Sequence, residues 1–233
     1  MGDVSRGSMQ NPEAIERRLS WGTVVRGLRW GGGSDLALLL HEPGEDLDAW
    51  AALPGQLARE LVIESIAVDL PGHGLSDDPW EPARLPDVLR ELPLIVPAAN
   101  RLYVIAAGTP ALVSLDYAAD LKLSGLVSLS PESPSDDWNP TRSPSVPKLM
   151  IAGAIAGSDL ETARRLASTC GGWVVVTSIP VAERGTGLLS SPWSGRLVEQ
   201  IVAFLRDCQR RPARATNPID STRPATANAS DSR

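Results

Sequence analysis

Cysteine and histidine are scarce in this chain. Two cysteines among 233 residues, Cys170 and Cys208, make neither a disulfide framework nor a zinc site. Long apolar runs are missing as well. Stretches such as Leu36 to Leu40 and Leu102 to Ala107 are strand-sized, far short of the roughly 18 residues that span a bilayer. Basic charge is in deficit, with 22 Lys and Arg against 28 Asp and Glu and a net charge of -6. Nucleic-acid phosphates need a basic face, so that partner is not expected. The first residues carry Asp3, Arg6, Glu13, Glu16, Arg17 and Arg18 with no apolar core, so no signal peptide is read there. A cytoplasmic setting, no membrane contact, no metal and no cofactor are the resulting expectations.

What is present fits a soluble globular domain, with hydrophobic residues at 42% and charged residues at 21%. The composition predicts a flexible segment over 1–18, a folded domain over 19–208 and a disordered tail over 209–233. That tail has almost nothing apolar to bury. No internal repeat interrupts the body. Between the ends, short apolar runs alternate with helical spacing. Strands are predicted at Thr23 to Trp30, Leu36 to His41, Ile63 to Leu70, Tyr103 to Ala107, Gly125 to Ser130, Lys148 to Gly153 and Trp173 to Ile179. Helices are predicted at Asp46 to Leu61, Arg84 to Ala99, Ala111 to Asp120, Leu160 to Thr169 and Gly195 to Cys208. Strand–helix alternation of this kind predicts an α/β class, with a doubly wound, mostly parallel sheet of about seven or eight strands in three layers.

Five segments, in order, carry a more specific signal. Leu38-Leu39-Leu40-His41 is followed by Pro43-Gly44. Asp69-Leu70-Pro71-Gly72-His73-Gly74-Leu75-Ser76 is a glycine-rich turn after a buried strand. Leu102 to Leu112 reads as strand, tight turn and helix, and Leu126 to Pro131 as the next strand. Val146 to Gly153, with Asp159 beyond it, ends the series, and Glu183 to Leu189 follows. Together these resemble the α/β-hydrolase superfamily over about Trp21 to Phe204, with little or no cap domain. The resemblance implies an oxyanion loop at His41 and Glu42, a nucleophile elbow near Gly108, an acid at Asp159 and a base in the loop at Arg184.

The elbow pattern is G-x-S-x-G, in which small flanking residues let a tight turn present a serine hydroxyl. Matching strand and helix lengths puts Gly108 at the nucleophile position. A shift by one residue puts Thr109 there, between Ala107 and Ala111. Glycine cannot attack anything, whereas threonine can. In this fold the triad runs nucleophile, acid, base along the chain. His41 and His73 both precede the elbow, and no histidine follows. Arg184 stands at the base position, and a guanidinium does not accept a proton.

His41 is expected to form hydrogen bonds within its turn, His73 to pack its loop and Asp69 to tie that loop through backbone hydrogen bonds. Asp159 resembles the acid, but an acid without its base partner is more often a helix N-cap, here before Leu160 and Glu161. Glu42 brings a carboxylate where the resemblance places oxyanion donors. Trp80 and Trp138 fall in loops expected to flank the pocket, with His41, Glu42 and His73 beside them. The expected function is that of a pseudo-hydrolase, binding a small molecule or a protein partner through the inherited pocket. The alternative is an active esterase-like hydrolase that uses Thr109, or another hydroxyl such as Ser130, with an unusual base.

Overall fold

Leu36–Leu40 is a run of five apolar residues, all buried, and such a run is stable only as a strand covered on both faces. In the computed structural model, which describes residues 11–96, 99–135, 145–155 and 157–211, this run is β3 near the middle of an eight-stranded sheet. The strands are β1 (Glu13–Arg18), β2 (Val24–Trp30), β3 (Leu36–Leu40), β4 (Glu64–Val68), β5 (Leu102–Ala107), β6 (Gly125–Leu129), β7 (Lys148–Gly153) and β8 (Val174–Ile179). Their spatial order is β1-β2-β4-β3-β5-β6-β7-β8. The pairs β1–β2 and β2–β4 are antiparallel, and every other pair is parallel.

Alternate side chains of the strands feed two cores. Ala37 and Leu39 of β3 join a cluster with Leu53 and Leu57 of α1 (Leu53–Leu61) and with Leu197, Ile201 and Leu205 of α5 (Ser194–Arg210). Leu36, Leu38 and Leu40 join the opposite cluster. It contains Val88 and Leu89 of α2 (Leu85–Glu91), Ala111 and Leu115 of α3 (Gly108–Tyr117) and Ala163 and Leu166 of α4 (Asp159–Thr169). Helices on both faces of the sheet give the three expected layers. The connection from β6 to β7 runs only from Ser130 to Pro147, well below the roughly 50 residues of a small domain. No helix among the described residues is long and apolar enough to cross a membrane.

Several boundaries differ from the sequence expectation. The segment expected to be flexible, 1–18, contains β1, whose Glu13 and Glu16 form ion pairs with Arg29 and Arg26 across the strand pair. The helix expected over Asp46 to Leu61 divides into a 3-10 turn at Leu47–Trp50 and α1, with Ala51 at φ 48° between them. The helix expected over Arg84 to Ala99 is α2 followed by a 3-10 turn at Leu92–Ile95, because Pro93 has no N–H to continue α2. α5 continues to Arg210, so Gln209 and Arg210 belong to the folded body. Gln209 Nε2 donates to Asp35 and to the Leu61 carbonyl. The rest of the predicted tail, 212–233, lies outside the described residues.

Candidate functional site

β5 ends at Ala107 and α3 begins at Gly108, with φ 55° at the turn between them. That left-handed angle is free for glycine and costly for any residue with a Cβ. Gly108 therefore occupies the strained elbow itself, and Thr109 is the second residue of the helix. Thr109 Oγ1 donates to Glu132 Oε2 at 2.5 Å, and the Glu132 N–H donates to the Gly108 carbonyl at 3.3 Å. Glu132 was not singled out in the sequence. The signal available was its place just beyond β6, the parallel neighbour of β5.

Glu42 follows β3 and turns its carboxylate over the elbow. A methyl built on Gly108 would lie 2.6 Å from Glu42 Cδ, and one built on Gly185 would lie 2.9 Å from the same carbon. Both glycines have positive φ and no side chain, and the carboxylate fits against the two bare backbones. Arg184 Nη2 is 3.7 Å from Glu42 Oε1, and Arg184 Nε is 3.2 Å from Asp159 Oδ2. The expected acid and the substituted base are thus brought together, and their charges are directed at Glu42. Asp159 is the first residue of α4 rather than its N-cap, which is Ser158. Its carboxylate is committed to Arg184. Glu45 secures the same loop, accepting from the Glu42 N–H at 3.2 Å and from Thr186 Oγ1 at 2.5 Å.

Burial raises the Glu42 carboxyl above its ordinary value. Arg184 opposes the shift, and the nearby charges of Glu45, Asp159 and Glu132 reinforce it. Burial disfavours the Arg184 charge too, but Glu42 and Asp159 outweigh it, so the guanidinium stays protonated. A raised folded-state pKa means that the folded protein retains a proton the unfolded chain has released. That contribution to stability is complete below the ordinary carboxylate pKa of 4.5 and is lost as pH rises through the folded value. Glu42→Gln is therefore expected to stabilise the fold at neutral pH, with the gain vanishing once the pH falls below 4.5. Urea unfolding of both proteins across that range measures it. A gain that persists in acid would contradict this electrostatic account.

The loop expected to supply oxyanion donors has few free N–H groups. Pro43 has no N–H, and the Glu42 N–H is taken by Glu45. His41 is fully buried and structural. Its Nε2 accepts the Leu70 N–H at 3.0 Å, which leaves Nδ1 protonated to donate to the Glu42 carbonyl at 2.8 Å. Burial lowers its pKa and keeps the ring neutral. His73 Nδ1 lies 2.9 Å from the Pro71 carbonyl, and the ring packs edge-on against His41 and Trp80. Asp69 accepts from the Leu47 and Leu75 N–H groups, both at 2.8 Å, so its turn-supporting role is as expected. Ser130 is buried, away from any incoming substrate. Trp138 lies outside the described residues.

No protein-family model and no curated protein matches the chain. Solved structures do match. A thermophilic esterase from Thermogutta terrifontis has TM-score 0.66 at 15% identity, over 84% of this chain and 99% of that one. A lidless α/β serine hydrolase from Xanthomonas campestris has TM-score 0.62 at 17% identity, over 89% and 98%. A haloalkane dehalogenase from Bradyrhizobium elkani has TM-score 0.66 at 14% identity, over 85% and 99%. Likeness over most of each chain shows the fold: the chain has the α/β-hydrolase fold.

Proposed function

We propose that this protein is a non-catalytic, cytoplasmic α/β-hydrolase-fold protein that binds a small molecule or a protein partner at the inherited cleft. One observation carries the reading: the Glu42 carboxylate lies against Gly108, in the space a nucleophile and its acyl group would need. An anion there also repels the oxyanion that acyl transfer generates. Glycine supplies no nucleophile, Arg184 supplies no base, and Pro43 removes a donor. In a triad enzyme, losing the nucleophile or the base alone costs on the order of a millionfold in rate. The rim carries Glu42, Glu132 and Asp159 for the single Arg184, which favours a ligand of neutral or positive charge.

A second reading has one observation in its favour. The Thr109 hydroxyl donates to a carboxylate, the contact a nucleophile makes with its general base. The two readings differ in an ester assay. The purified chain is expected to show no saturable turnover of p-nitrophenyl acetate or butyrate and no labelling by a fluorophosphonate. Thr109→Ala and Glu132→Gln should leave that background unchanged. Turnover that disappears in both variants while they stay folded would establish the threonine enzyme instead.

A further inference from the structure

A cavity of about 770 Å³ opens at the end of the sheet opposite the elbow. Trp30, the last residue of β2, pairs with Ser65 at the start of β4 and forms one wall. α1 forms the other wall with Gly55, Ala58 and Arg59, and Val62 follows at its end. Ligands of open α/β sheets ordinarily sit at the other end of the strands, so this cavity is separate from the inherited cleft.

Its chemistry is unlike that of the rest of the surface. The chain has a net charge of -6, yet among the described residues no carboxylate lines this cavity, and Arg59 is the one charged residue there. Among the described residues, neither the Arg59 guanidinium nor the Trp30 indole N–H has a hydrogen-bond or ion-pair partner. The two converge. A methyl placed on Gly55 would lie 3.5 Å from Trp30 Cδ1, 3.7 Å from Trp30 Nε1 and 3.7 Å from Arg59 Nη1.

Gly55 explains why that space is open. Its φ is not in the left-handed region, and its surroundings would accept a methyl at ordinary contact distance, so neither backbone nor packing requires glycine. Glycine inside a helix is less stable than alanine by about 0.5–1 kcal/mol. What the missing side chain provides is access to the indole edge and the guanidinium together. Asn11 and the Gly31 to Gly33 backbone close one side, and the rest of the lining is apolar, with Ala51, Ala52, Ala58 and the 75% exposed Val62.

We propose that this cavity binds a small carboxylic acid with an apolar body. The carboxylate accepts from Trp30 Nε1 and Arg59, and the hydrocarbon lies along Ala52, Ala58 and Val62. An oxyanion bonded to a guanidinium is among the stronger polar contacts, and apolar area supplies the rest of the affinity.

Octanoate titrated into the full chain, followed by calorimetry and by the Trp30 indole N–H resonance, tests the proposal. Saturable binding that moves this resonance is expected, with neutral octanamide weaker by roughly tenfold because the charged acceptor is gone. Arg59→Gln, at an exposed position, should weaken octanoate by a similar factor and leave octanamide unchanged. Gly55→Leu should abolish binding of both, since its side chain occupies the cavity. Glu42→Gln should have no effect, which separates this site from the inherited cleft. Absence of binding at millimolar octanoate, or binding that Arg59→Gln and Gly55→Leu both leave intact, would overturn the proposal.

Discussion

Gly108→Ala is expected to lower the stability of the fold by about 2–5 kcal/mol. Two costs combine. A residue with a Cβ at φ 55° pays about 1–2 kcal/mol for the left-handed backbone. The added methyl also falls 2.6 Å from Glu42 Cδ, so the carboxylate must move from its seat, an overpacking cost of about 1–3 kcal/mol. Glu42→Ala empties the seat and removes the second cost but not the first. The double variant should therefore be less destabilised than the two singles added together, by about 1–3 kcal/mol in a double-mutant cycle. Urea unfolding at constant slope measures all four corners. Additive effects would mean that Glu42 does not occupy the elbow.

Local signals made most of the fold legible in the sequence. Leu36–Leu40 and Leu102–Ala107 can be buried only as central strands. The glycines of the Asp69 to Ser76 loop mark a turn whatever surrounds it. β1 escaped because Glu13–Arg18 is a charged edge strand. Edge strands tolerate, and even favour, charge along their open side. Its pairing is fixed by Arg26 and Arg29 on the neighbouring strand, not by a buried face of its own. A glycine at 108 and the absence of any histidine after it were equally legible, since neither needs coordinates. The role of Glu42 was only half legible. A carboxylate near the oxyanion loop follows from its position after His41. Its contact with the elbow also depends on Gly185, which is remote in sequence and bare enough to admit it. The Thr109–Glu132 contact is tertiary in the same way, and Asp159 gave up the cap expected of it because Arg184 is a stronger partner than a backbone N–H.

Restoring hydrolysis is expected to need three substitutions rather than two. Gly108→Ser returns a hydroxyl to the elbow, and Arg184→His returns a base within reach of Asp159, which already touches the side chain at position 184. Sequence alone singles out that pair as the test. The geometry makes the pair insufficient, because the serine Cβ would meet the Glu42 carboxylate and the developing oxyanion would face its charge. The double variant should therefore remain inactive and unlabelled by a fluorophosphonate. Adding Glu42→Gly frees the space and removes the repulsion. The triple variant should be labelled at the elbow and should turn over p-nitrophenyl butyrate about 10²–10⁴-fold faster than the unmodified protein, the range a positioned general base contributes. It should still fall well short of an efficient esterase, because Pro43 leaves the oxyanion loop one donor short, a deficit of about 10²–10³ in rate. Pro43→Gly on the triple background should recover part of that deficit. If the double variant already matches the triple, Glu42 is not what blocks the site, and the non-catalytic reading rests on the missing serine and histidine alone.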